Sequence, residues 1–377
     1  MYFRLFLGLT AVLTPAAFAG DPPKLPPPYH TPSASNAPKI IPQPGGVALR
    51  VPAGFTVSEF ASGFAKPRYL VEGPNGEILL SDSVKDGAVY VLADANGDGR
   101  IGDDEKKKLV GGLDRPFGMA FHGKYLYVAE AGHVKRFAYD AAKREAGAPE
   151  VVIDLHEETQ GHWTRTILFD AEGRKLYLGI GSRSNITPGD PEYRAAVLRY
   201  NPDGSGREVV ASGVRNPIGL DWNPESRKLW AVVQERDGLG DDLVPDFFTA
   251  IREGAYYGWP YAYIGPNEEP RNKGQRPDLV AKTVVPDVLL EPSHVAAMDA
   301  RFYRGRQFPA RFRNGAFIAL RGSSNRAKRT GYSIVFIPFN LETAVAQSRL
   351  RPGCVMQAHR KFTAMPSGSR EAASLLG

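Results

Sequence analysis

The sequence predicts an all-β chain built as a six-bladed β-propeller whose last blade is incomplete. Three observations carry that expectation. A turn-proximal proline opens a strand-like run at Pro67, Pro116 and Pro217, with His162-Trp163 filling the slot between. Each run meets a Gly/Asp/Asn turn and then a second apolar run, as in Leu70-Val71, Asn75-Gly76 and Ile78-Leu79-Leu80. The unit returns about every fifty residues, and a fixed period of that size with several strands per unit marks propeller blades. A β-sandwich with coincidental spacing is the competing architecture.

In chain order, the first segment reads as an export signal over residues 1–19. Arg4 supplies positive charge, residues 5–13 an apolar stretch, and Ala17-Phe18-Ala19 a small-x-small cleavage site. That stretch is too short to anchor in a bilayer, so the mature protein is expected to be periplasmic or secreted. Residues 20–46 are dense in proline, with Pro22-Pro23 and Pro26-Pro27-Pro28, and read as a disordered linker. Export has added no staple, because Cys354 is the only cysteine and excludes an internal disulfide.

Residues 47–340 carry the propeller pattern. The first unit runs through Arg68-Tyr69-Leu70-Val71 and Ile78-Leu79-Leu80 to Ala88-Val89-Tyr90-Val91-Leu92. The second continues from Phe117 through Leu126-Tyr127-Val128 to His133-Val134-Lys135-Arg136-Phe137. Leu176-Tyr177-Leu178 and Leu229-Trp230-Ala231-Val232-Val233 are the second strands of units three and four. An insertion is expected over residues 237–293, with the fifth unit resuming near Asp299 and a sixth due near Arg351-Pro352. The sixth does not develop. Residues 341–377 show no alternating run, and read as an atypical tail such as a truncation or frameshift would leave. That tail holds five Lys/Arg against two Glu, which accounts for half of the formal charge of +6. The rest carries no basic run, which weighs against a nucleic-acid partner.

His162 and Arg215 occupy equivalent points of adjacent repeats, so a radial arrangement brings them to one mouth. A neutral imidazole suits proton removal near neutral pH, and a fixed guanidinium stabilises developing negative charge. Two segments have ligand types for calcium. In residues 94–105, Asp94, Asn96, Asp98 and Glu105 stand at positions one, three, five and twelve of an EF-hand-like loop, with glycine at six. Its flanks read as strand, so it is expected as an inter-strand loop. Residues 234–246 gather Glu235, Asp237, Asp241, Asp242 and Asp246. Trp163, Tyr257, Trp259 and His294 are candidates for the wall of a sugar site, although Trp259 between Gly258 and Pro260 also suits packing between blades.

The segments His162-Trp163-Thr164-Arg165, Gly181-Ser182-Arg183-Ser184-Asn185 and Arg215-Asn216-Pro217-Ile218-Gly219-Leu220 resemble the sorbosone dehydrogenase family. So do the acidic loop from Glu235, Tyr257-Gly258-Trp259-Pro260-Tyr261 and Arg321-Gly322-Ser323-Ser324-Asn325-Arg326, over about residues 51–339. That family is similar to soluble quinoprotein glucose dehydrogenase, a six-bladed propeller using pyrroloquinoline quinone (PQQ) and calcium. The resemblance implies oxidation of an aldose at C1, or of a sugar aldehyde such as sorbosone. His162 is then the base and Arg215 the contact to the quinone oxygen. Asn216, Arg321, Asn325 and Arg326 become cofactor residues, the arginines facing its carboxylates. Calcium falls near Asp237-Gly238, and electrons pass to a soluble or membrane-docked acceptor. A calcium-dependent lactonase or esterase and a non-catalytic binding propeller are the alternatives that fold alone leaves open.

Overall fold

A computed structural model of the chain describes residues 23–38, 49–155, 159–339 and 353–357. The expected signal segment and most of the atypical tail lie outside the described residues. Five four-stranded antiparallel sheets follow one another along the chain. The first comprises β1 (Pro67–Glu72), β2 (Ile78–Asp82), β3 (Gly87–Leu92) and β4 (Lys106–Leu113). The second comprises β5 (Met119–His122), β6 (Tyr125–Ala129), β7 (His133–Asp140) and β8 (Glu145–Asp154). The third is β9 (Arg165–Phe169), β10 (Leu176–Ile180), β11 (Ala196–Tyr200) and β12 (Glu208–Ser212).

The fourth sheet departs from the expected insertion. It is made of β13 (Pro217–Trp222), β14 (Leu229–Val233), β15 (Asp246–Ala250) and, after a short hairpin β16 (Ala262–Tyr263) with β17 (Asn267–Glu268) and helix α1 (Pro277–Lys282), β18 (Val288–Leu290). Its third and fourth strands therefore lie inside residues 237–293, where the sequence had shown only interruption. The fifth sheet is β19 (Ala297–Phe302), β20 (Gly315–Leu320), β21 (Ser333–Pro338) and β22 (Gly353–Gln357). β22 pairs with β21, so the stretch where a sixth unit was due completes the fifth blade instead. No sixth four-stranded sheet is present among the described residues.

First strands of successive sheets touch in the order β1, β5, β9, β13, β19. They converge, because Arg301 in β19 donates to the hydroxyl of Tyr69 in β1. This is a β-propeller of five described blades. Central strands such as β14 and β15 are buried on both faces, as packing between neighbouring blades requires. Outer strands expose charge instead, as in the three lysines of β4, which keeps the edges from pairing with other chains.

Residues 51–66 cross the seam between the last and first blades. Val51, Phe55 and Val57 pack with Phe308, Phe312 and Phe317 of the fifth unit, while Phe60 and Phe64 join Leu70, Leu80 and Leu92 of the first. The proline-rich stretch also departs from the tether expected of it. Tyr29 N donates to Leu239 O (2.8 Å), while Thr31 Oγ1 and Ser33 Oγ accept from Asp241 N (2.9 Å) and Gly240 N (3.0 Å). Further along, Asn36 N donates to Ser324 O (2.7 Å). Loop amides outside any sheet ladder need acceptors, and this strap supplies them at little entropic cost because proline has already restricted it.

Candidate functional site

The register places the site at one end of the ring. Pro67 pairs with Asp82, Arg165 with Ile180, Pro217 with Val233 and Ala297 with Leu320. Residues just before each first strand and just after each second strand therefore share an end. His162, Ser182, Asn185, Arg215, Asn216, Asp237, His294, Arg321 and Asn325 all occupy such positions.

His162 is held from both sides. Its backbone carbonyl accepts from Arg165 Nη1 (2.8 Å), a guanidinium buried completely in the ring wall. Its Nδ1 lies 2.8 Å from Ser182 O and 3.1 Å from Ser182 Oγ. A carbonyl can only accept, so Nδ1 carries the hydrogen and Nε2 keeps its lone pair. Burial, then the charge of Arg215, pushes its pKa down to about 3, against the raising effect of the Ser182 carbonyl. The ring is a neutral base across the working range.

Arg215 is buried and makes no ion pair among the described residues. Its Nε and Nη2 donate to the carbonyl (3.1 Å) and side-chain Oδ1 (2.9 Å) of Asn185, and its Nη1 donates to Glu235 O (2.8 Å) and Gln234 O (3.4 Å). These acceptors occupy at most four of its five N–H groups, leaving one on Nη2. Burial lowers its pKa, partly countered by Asp237. Asn185 is the residue sequence reading passed over, although it stood inside a quoted motif. Beyond Arg215 it accepts from Asp237 N (3.0 Å), donates to Asp237 O (2.9 Å) and accepts from Trp259 Nε1 (2.8 Å). Asn216 donates to Gln234 Oε1 (3.0 Å), but its own buried Oδ1 has no partner.

The fit of a planar quinone was tested on these atoms. A Cβ added to Gly181 would collide with Asn216 Oδ1 and lie 2.6 Å from His162 Cβ. Glycine at 181 therefore lets His162 and Asn216 pack directly against this turn, with the unpaired Asn216 Oδ1 between them. The guanidinium of Arg321 has no ion pair or hydrogen bond among the described residues, so it is available to a carboxylate. The residues fit the group, with His162, Arg215, Asn216 and Arg321 as those that would hold it.

Other expectations change on contact with the structure. Arg326 is already paired with Asp242 (3.0 Å) and with Asp241 O, so it serves the loop rather than a ligand. Asn325 lies by the carboxylate of Asp237 and helps to lower its pKa. Tyr257 is fully buried in the fourth blade, its hydroxyl donating to Ala250 O (2.7 Å). Trp259 is buried as well, with its indole N–H committed to Asn185. His294 is no open wall either. Its Nδ1 meets Asp237 Oδ1 (3.0 Å) and its Nε2 meets Gly240 O (3.0 Å). With an acceptor at each nitrogen the ring is an imidazolium, and Asp237 and the Gly240 carbonyl raise its pKa against the lowering effect of burial. Of the four proposed wall residues only Trp163 remains half-buried with a ring to offer.

Calcium does not fit the Asp237-Gly238 pair. The Asp237 carboxylate is taken by His294, with Asn325 beside it, and its carbonyl by Asn185 and by Arg271 Nη1 (2.8 Å). An imidazolium and a guanidinium already bonded to this residue oppose a further cation there. In the 94–105 loop, Asp94 accepts from Gly97, Asp98 and Gly99 N, and Asn96 Oδ1 and Asp98 Oδ1 accept from Asp98 N and Arg100 N. Glu105 accepts from Ala95, Asn96 and Gly102 N. Among the described residues no three acidic, histidine or cysteine side chains gather as a ligand set.

Comparison with known proteins gives a consistent picture. A family model described as TrAA12-like matches residues 49–244 and 268–361. An uncharacterised protein of Borreliella burgdorferi is 28% identical over 325 residues, covering 80% of this chain and 79% of that protein. The aldose sugar dehydrogenase YliI of Escherichia coli is 27% identical over 170 residues, 40% of this chain and 43% of the enzyme. Among solved structures, the holo form of the pyranose dehydrogenase PQQ domain from Coprinopsis cinerea superposes with a TM-score of 0.70. It is 20% identical and covers 85% of this chain and 88% of that one.

Proposed function

Because the chain belongs to the TrAA12-like family, we propose that it is a PQQ-dependent oxidoreductase of sugars. The substrate in this reading is an aldose oxidised at its C1 hydroxyl, or a sugar aldehyde. The observation that carries it is the lone pair of His162 Nε2, exposed by the Nδ1 contact to Ser182 O and set beside the fixed cation Arg215. Bound PQQ supplies the hydride acceptor. His162 takes the hydroxyl proton at Nε2 and is then an imidazolium next to Arg215, a state that burial and like charge make eager to release its proton. The free Nη2 hydrogen of Arg215 is held in place by Asn185 to meet negative charge as it develops. The leader at residues 1–19 supports export, with a soluble or membrane-docked partner receiving the electrons.

The test is titration of the purified protein with PQQ and calcium, followed by aldose-dependent dye reduction, in parallel with His162→Gln. At saturating quinone the variant is expected to lose about 10²–10⁴-fold in turnover. Unchanged turnover in the variant, or no quinone binding by the parent, would sink the reading.

A further inference from the structure

Arg68 is the second residue of β1 and was assigned no role from sequence. Its guanidinium carbon stands 5.2 Å from the ring centre of Phe117 and 5.4 Å from that of Trp163. Those two rings meet edge to face at 6.0 Å and 87°, so Arg68 fills the corner between them. Arg115 reaches the same indole at 5.5 Å, but Asp114 neutralises it through two hydrogen bonds of 3.0 and 3.1 Å. Arg68 has no such partner. Among the described residues its side chain makes no hydrogen bond and no ion pair. Burial first, then the charge of Arg321 of the fifth blade, brings its pKa down to about 10.

Arg68, withdrawn from water without an acid partner and subject to the charge of a second guanidinium, is an uncompensated cation. Cation–π contact recovers about 0.5–2 kcal/mol of that cost and leaves the hydrogen-bond donors unused. Both residues sit at the ring end that carries His162, and Trp163 follows His162 directly. We infer that Arg68 and Arg321 form a two-armed clamp for the carboxylates of a planar ligand lying against Trp163, joining the first blade to the fifth across the seam. The ligand class is an aromatic polycarboxylate. The clamp rests on the quinone reading above and replaces Arg326, which is spent on Asp242, with Arg68.

The experiment measures equilibrium binding of PQQ by quenching of tryptophan fluorescence, in the parent, Arg68→Gln, Arg321→Gln and Arg68→Lys. The trimethyl ester of PQQ serves as the uncharged probe, and thermal unfolding of the ligand-free proteins reports on folding. Each glutamine variant should lose about tenfold or more in affinity for the acid, as removal of a charge-assisted hydrogen bond does. Affinity for the ester should not change, and Arg68→Lys should recover part of the loss. Equal binding of the acid by all four proteins would overturn the clamp, as would equal losses for acid and ester, which would mean a packing defect. If the parent binds no PQQ, the functional reading fails and benzene-1,3,5-tricarboxylate decides the clamp. Arginine-dependent binding of that probe keeps it, and absence of binding removes it.

Discussion

His162 has one nitrogen to offer a substrate, and its neighbours decide which. The Ser182 carbonyl takes the Nδ1 hydrogen, while burial and Arg215 suppress the charged form. A consequence follows for stability. The folded pKa lies near 3 and the unfolded one near 6.5, so in that window the unfolded chain binds a proton that the folded chain refuses. The stability tied to a neutral His162 is whole above pH 6.5 and drains away as pH falls toward 3. Relative to His162→Asn, the native sequence should lose at most about 1.4 kcal/mol per pH unit across that interval in urea unfolding. Parallel curves would mean that the folded ring is already protonated. Asn185 gives a second test, since its side chain and carbonyl hold Arg215 and Asp237 together. Asn185→Ala should cost about 1–3 kcal/mol in the same measurement, because buried donors lose their acceptor. His162 and Arg215 were legible in the sequence because each chemistry-bearing type stood in the same slot of a repeat. Arg68 stands after Pro67, inside β1, and so outside the slot that exposed those two. Asn185 and Ser182 were harder to find, since a short polar residue in a loop declares no role until its partners arrive.

At the scale of elements, the strap and the two loops it joins matter most. Residues 23–38 run from Leu239-Gly240-Asp241 to Ser324 and Arg326, which flank Asp237, His294 and Asn325. Gly240 is the tightest point, with φ of +106° and a Cβ that would sit 2.5 Å from Thr31 O. Gly240→Ala should therefore release the strap, and Thr31→Val with Ser33→Ala should do so without straining the loop. Both are expected to speed hydrogen exchange at the amides of Tyr29, Gly240 and Asp241, with the central strands unaffected. Protection equal to the parent's would mean that the loops hold their shape unaided. Composition misread this element because proline density forbids a core and yet costs little to dock. The alternating runs of β2, β3, β6 and β14 were plain in sequence, whereas β15 and β18 were hidden by the acidic loop and the 251–287 excursion between them.

For the whole molecule the decisive place is the seam. Between the fifth and first blades lie the Arg301–Tyr69 bond and the segment 51–66, whose Phe55 meets Phe308 edge-on at 4.8 Å and Phe312 at 5.1 Å. Phe55→Ala is expected to cost about 2 kcal/mol, less than for a fully buried ring because Phe55 is only half-buried. A loss below about 0.5 kcal/mol would show that the segment merely lies on the surface. The seam also explains why blade number was the weakest part of the sequence reading. A repeat count registers strands, but cannot say whether a short run such as Gly353–Gln357 finishes one blade or begins another; pairing with β21 settles that.

The sequence by itself determined the all-β architecture, the period, the end of the ring that bears the chemistry, and the candidates His162 and Arg215. Those are properties of local pattern, where side-chain type and spacing act within a few residues. Only the tertiary structure decided which charges are spent and which are free. Arg326, Asp237 and His294 pair across loops more than fifty residues apart, while Arg68 and Arg321, also far apart in the chain, find no acid among the described residues and act on each other by charge. Whether a charge has a partner depends on distance in space, and at a ring of loops drawn from every blade no local pattern encodes that distance.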